Sequence, residues 1–162
     1  MTERLHTITL EVNGTPRTGT APARMTLVDF LRDVLRLTGT HVGCEHGICG
    51  ACSILLDGEP VRSCLMYAVQ AEGHRVTTVE GLASADGTLS ALQDSFCETH
   101  ALQCGYCTPG MLIASHALLK SEPNPSEAQI REAIGGNLCR CTGYQQIVEA
   151  VKLAAKRAGD SQ

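Results

Sequence analysis

At 162 residues, 43% hydrophobic and 19% charged, the chain has room for one ordinary domain or two small ones. Its net charge of −4 excludes the clustered Lys and Arg of a nucleic-acid surface; no apolar run reaches the roughly 20 residues of a membrane span; and the opening MTERLHTITLEV lacks the apolar core of a secretion signal. This predicts a soluble cytoplasmic protein whose nine cysteines stay reduced and, packed this closely, point to metal.

TITLEV at 7–12 alternates apolar Ile8, Leu10 and Val12 with polar residues, the pattern of a half-buried strand. Asn13-Gly14 follows as a hairpin turn, and a second strand is expected from Thr15 to Ala21. Asn13-Gly14-Thr15 also fits a glycosylation acceptor, but without a secretion signal the turn reading is preferred. Thr26 caps a helix with Asp29 at its third position, Leu27, Phe30, Leu31, Val34 and Leu35 form its apolar stripe, and Gly39 is expected to close it. Asp57-Gly58 reads as a further hairpin turn, and a last strand includes Val76 to Val79.

Beyond residue 82 the period becomes helical. Leu89, Leu92, Phe96 and Thr99 or His100 share one face, and Pro109 opens a second helix at its first position. Ser126 with Gln129 makes a capping box for a third helix, which Gly135-Gly136 ends. Thr142 with Gln145 suggests another capping box before a fourth. The fold class predicted is α+β, a ferredoxin-like domain over 1–82 followed by an all-α four-helix bundle over 83–162. In an up-down-up-down bundle the first and third connections lie at one end, and these carry Cys104 with Cys107, and Cys139 with Cys141.

Two sets of thiols emerge. Cys44, Cys49, Cys52 and Cys64 follow the C-x4-C-x2-C…C spacing of a plant-type [2Fe–2S] site. Gly43, Gly47 and Gly50 let the loop turn its amides toward an anionic cluster. Cys104, Cys107, Cys139 and Cys141 make the second set, with helix N-termini expected just after each pair. Arg140 is read either as neutralising charge there or as a solvated side chain. Zinc with four cysteine ligands is the main alternative, but zinc ribbons pair two C-x2-C knuckles and neither set does so. Cys44-x-His46 and Cys97-x2-His100 imitate Rieske ligands, yet stand far apart with thiols nearer to hand. His46 is then a loop residue, and Cys97 reads as a small core residue.

HVGCEHGICGACSILLDG, QCGYCTPGM and GGNLCRCTGY closely resemble the iron–sulfur subunit of the molybdenum hydroxylases, the xanthine dehydrogenase and carbon monoxide dehydrogenase family, over about Ile8 to Ala154. The resemblance implies a β-grasp ferredoxin-like domain, then the helical domain, each with one [2Fe–2S] cluster. It implies molybdopterin on a large partner subunit and FAD on a medium one, in a dimer of heterotrimers. It also implies that Gln103 and Cys141 contact the pterin; the Gln103 amide could hydrogen-bond a pterin edge, with a plain surface glutamine as the lesser alternative. The function implied is an electron-transfer subunit of a molybdenum-containing oxidoreductase, with no substrate site on this chain. The rival reading is a free-standing two-cluster ferredoxin, a mobile carrier.

Overall fold

The structure, a computed structural model, describes residues 4–160. Strand β1 (Leu5–Val12) pairs antiparallel with β2 (Thr15–Pro22), joined by Asn13 and Gly14, both at positive φ. That backbone matches the twist of a two-residue hairpin. β3 (Ser53–Leu56) and β4 (Glu59–Arg62) form the second hairpin across Asp57-Gly58, again with both turn residues at positive φ. β5 (Arg75–Thr77) joins the two hairpins, parallel to β1 and antiparallel to β3, so the sheet runs β2-β1-β5-β3-β4.

One core lies under this sheet. The inward residues Ile8, Leu10 and Val12 of β1 pack with Leu27, Phe30, Leu31, Ile54 and Val76, all at most 2% exposed. The helix that supplies the other side, α1 (Leu27–Asp29), is capped by Thr26, whose Oγ1 accepts from the Asp29 amide. It continues as a π turn over Phe30–Val34 and stops at Leu35, because Arg36 takes a left-handed conformation and the Leu37 amide reaches back to Leu31. Gly39 does not close the helix, as its position suggested. Its amide instead donates to Glu80, and a Cβ there would lie 2.7 Å from the Glu80 carboxyl carbon.

Four helices follow: α2 (Ala91–Glu98), α3 (Thr108–Ser121), α4 (Glu127–Ile134) and α5 (Gln145–Asp160). Ser90 with Gln93 and Ser126 with Gln129 form complete capping boxes for α2 and α4. α2 buries Leu92, Ser95 and Phe96, while Leu89, expected on that face, precedes the helix and stays exposed. α3 begins at Thr108, which puts Pro109 one position later than expected. Thr142 makes no capping box, and α5 starts only at Gln145. The Thr142 hydroxyl accepts from the Tyr144 amide and lies 3.1 Å from Cys139 Sγ, so it serves the loop rather than the helix.

The helices do not stand apart as a separate all-α bundle. α2 packs on α5 and α3 on α4, but α3 also lies along β3 and β4, and Leu55 of β3 belongs to the helical core with Phe96, Met111, Ile113, Ile130 and Ile147. The helices keep a core of their own, closed on one side by Leu55 of β3, and it is the 14-residue α3, not the two 8-residue helices, that lies against the sheet. The architecture is a mixed α/β fold with a five-stranded sheet and helices closed against it.

Candidate metal centres

The loop from His41 to Gly50 has no regular structure, and it carries Cys44 and Cys49 beside the sheet. Cys52 stands at the start of β3 and Cys64 in the single turn that follows β4, so the β3–β4 hairpin itself brings these two together. Both are buried against Val28 and Val42. The four thiols meet as two pairs: Cys44 with Cys49, and Cys52 with Cys64, each within hydrogen-bonding reach of its mate. Backbone amides turn onto the sulfur. Those of Cys49, His46 and Ile48 hold Cys44 down to about 6, with Cys49 first. Burial, aided by the Cys52 thiol, pushes Cys64 up to about 11. A Cβ on Gly43 would sit 3.0 Å from Cys49 Sγ, so the absence of a side chain at residue 43 eases the close approach of the loop to the thiols.

The second set is assembled by the helices. The α2–α3 connection carries Cys104 and Cys107, and the α4–α5 connection carries Cys139 and Cys141. Packing α2 on α5 and α3 on α4 brings the two connections together: Cys104 Sγ lies 3.4 Å from Cys141 Sγ, and Cys107 and Cys139 line the same cavity. Cys104 and Cys141 form an exposed outer pair, Cys107 and Cys139 a half-buried inner one. The Tyr106 amide, then Cys141, lower Cys104, while the hydrogen bond with Cys104 raises Cys141. Burial pushes Cys107 up to about 12. Burial also raises Cys139, but hydrogen bonds from Thr142 and the backbone outweigh it and the net shift is downward. Cys107 is itself the N-cap of α3, so the positive end of that helix faces the inner pair. α5 begins four positions beyond Cys141 and gives no such help.

A cavity of about 210 Å³ opens between the thiols of the second set and reaches Gly43 and Cys49 of the first. The two sites are therefore neighbours. Tyr106 spans them, its ring stacked on His41 at 4.9 Å, its hydroxyl on the Val42 carbonyl and its own carbonyl 2.8 Å from His41 Nδ1. Arg140 is exposed and lines the same cavity. Gln103 is exposed beside Cys104 on the outer rim. A larger groove of about 850 Å³, between the β3–β4 hairpin and α3, contains no cysteine.

The donor sets fit binuclear clusters. A [2Fe–2S] group takes two thiolates on each iron, and the thiols of each set stand in twos. Cys97 is not a core residue: it is exposed on α2, in a shallow cavity with Asp94, Glu98 and Arg157. Its neighbours Phe96 and Ser95 take the buried face instead. His46 turns Nδ1 to the carbonyl of Cys44. Sequence reasoning passed over Asn137 and Arg62, which tie the two loops together. The only signal was Asn137 directly after the helix-ending Gly135-Gly136.

Exposed apolar side chains gather round both sets. Ile48 and Leu65 flank the first, Tyr106 and Leu138 the second, each between 50% and 62% exposed.

Comparison with known proteins agrees with this arrangement. A family described as "2Fe-2S iron-sulfur cluster binding domain" matches residues 10–83, and one described as "[2Fe-2S] binding domain" matches 78–152. The chain is 59% identical to caffeine dehydrogenase subunit gamma of Pseudomonas sp. (strain CBB1), over 91% of this chain and 89% of that one. It is 54% identical to the nicotine 6-hydroxylase small subunit of Paenarthrobacter nicotinovorans, over 94% and 92%. Among solved structures, quinoline 2-oxidoreductase from Pseudomonas putida 86 superposes with a TM-score of 0.93 at 51% identity, covering 98% of both chains. The chain belongs to the iron–sulfur subunits of the molybdenum hydroxylases, the electron-transfer subunits of oxidoreductase complexes.

Proposed function

We propose that this chain holds two [2Fe–2S] clusters, one on Cys44, Cys49, Cys52 and Cys64 and one on Cys104, Cys107, Cys139 and Cys141, within units spanning residues 1–82 and 83–162. The first unit is read as a β-grasp, from the parallel pairing of β1 with β5 inside a mixed sheet. Each cluster supplies a one-electron relay when bound, so the subunit carries electrons between a molybdopterin centre on a large partner and FAD on a medium one.

The observation that carries this reading is the meeting of Cys104 with Cys141 at 3.4 Å, from connections on opposite sides of α3 and α4. The chain's own part is to hold eight thiolates, turn amides onto them and limit water. The buried Cys52 and Cys64, and the half-buried Cys107 and Cys139, form the dry side of each site. The exposed Gln103 and Cys141 face outward, where a pterin on the large subunit would meet them.

A fixed subunit is favoured over a mobile carrier by Ile48, Leu65, Tyr106 and Leu138: apolar side chains exposed around both sites mark surfaces that a partner covers. The complex is a cytoplasmic dimer of heterotrimers. Three relatives are named for caffeine, nicotine and quinoline, all nitrogen heterocycles. We assign the complex of this chain to the same substrate class, with the substrate pocket on the large subunit.

Iron and acid-labile sulfide on the anaerobically isolated native protein test the cluster content, with four irons per chain expected; stoichiometric zinc in a colourless protein sinks it. Size exclusion of the same material tests the subunit reading. Elution with two larger chains supports it, and elution alone supports the carrier.

A further inference from the structure

Between the two candidate sites lies a buried polar junction that neither site needs for its ligands. Asn137, 1% exposed, stands two positions before Cys139. Its Nδ2 donates to the Gly50 carbonyl at 3.1 Å, inside the loop between Cys49 and Cys52. Arg62, two positions before Cys64, donates through Nη2 to the Gly136 carbonyl at 2.7 Å and to Asn137 Oδ1 at 3.3 Å, and through Nη1 to Ser53 Oγ. Ser53 Oγ in turn donates to the Gly50 carbonyl at 2.6 Å. Alongside, the Leu138 amide donates to the Cys49 carbonyl at 2.9 Å. Every member of this junction is within three positions of a thiol, and it draws on both sets.

We propose that Asn137, held by Arg62, is a positioning residue for both sites at once: it fixes the Cys49–Cys52 loop against the Cys139 loop, so that the two centres share one geometry and one environment. This rests on the assignment of two [2Fe–2S] sites given above. The physical reason is that a buried amide bridging two loops removes their independent motion, since either loop moving alone strands a buried donor or acceptor. Arg62 adds a fixed positive charge between two anionic sites, which favours added negative charge on both.

The test uses the native complex carrying Asn137→Ala, and separately Arg62→Gln, a change at the partly exposed end of an edge strand. The two paramagnetic resonance signals are assigned beforehand with Cys64→Ser and Cys139→Ser. Expected are shifts in the midpoint potentials of both signals, to more negative values for Arg62→Gln, together with faster amide exchange across residues 49–53 although the substitution in Asn137→Ala lies in the other loop. Arg62→Lys restores the charge but not the fork, so it should recover the potentials in part and leave the exchange fast. A change confined to the signal that Cys139→Ser abolishes, or unchanged exchange at 49–53, overturns the proposal. If Asn137→Ala does not fold, Arg62→Gln carries the test alone. Fewer than four irons in the unsubstituted complex would instead overturn the site assignment on which it rests.

Discussion

A single methyl group probes how closely the two sites approach. A Cβ on Gly110 of α3 would fall 2.3 Å from the Gly50 carbonyl oxygen and 2.7 Å from Asn137 Nδ2. Neither neighbour is the free end of a flexible chain, so Gly110→Ala must push the helix off the loop. We expect a loss of about 1–3 kcal/mol, read as a lowered melting temperature, with the midpoint unchanged if the contact is not tight. Cys139→Ser should abolish one paramagnetic resonance signal and leave the other; survival of both would remove Cys139 from the ligands. At this scale the coming together of the thiols was legible, because cysteine spacing is a local pattern and the glycines around Cys49 announce a loop wrapped close to something. Asn137 was not legible. Its partner Gly50 is 87 positions away, and an asparagine after a helix end has the same local appearance whether it bridges two sites or faces water.

Among the elements, α4 and α5 are joined at the surface by Glu127, which accepts from Lys152 at 2.6 Å and from Arg131 Nε at 2.9 Å. Lys152 first, then Arg131, hold the Glu127 carboxyl below its ordinary value of 4.5. A carboxylate lowered in the folded state contributes stability above that ordinary value and loses it as pH falls through the folded one. The difference in melting temperature between the parent chain and Glu127→Gln should therefore be level near neutral pH and close in acid. A gap that does not change with pH would mean that the pair contributes nothing. Ser126→Ala removes the cap of α4 and should cost about 1 kcal/mol. The boxes at Ser90 and Ser126 obey local rules. The motif at Thr142 failed because a nearby thiol competes for the same hydroxyl, and Gly39 failed because Arg36 had already turned the chain. In one case a competing local contact, in the other an unfavoured backbone conformation, decided the outcome.

For the whole molecule, the sequence pattern suggested two units, and Leu55, α3 and the Asn137 junction link the sheet with the helices. Hydrophobic periodicity marks which face is buried but not what covers it, so the entry of Leu55 of β3 into the helical core left no trace in the pattern. The connections that bring Cys104 to Cys141 are irregular over 99–107 and 135–144. Cys104 meets Cys141 between them, while Asn137 ties the second connection to the Gly50 loop instead. Stripping iron with a chelator should raise hydrogen exchange most in those two connections and lower the melting temperature, since metal binding in such sites is also folding. Full protection in the stripped chain would contradict this.

The parallel pairing of β1 with β5, Glu11 beside Arg75 and Val12 beside Val76, also orders events during synthesis. The first strand leaves the ribosome early and cannot find its central neighbour until the chain from Cys44 to Cys64 has been made. The frame around those four thiols thus closes only after all of them are present, so the cluster proposed above would meet a loop that is still open.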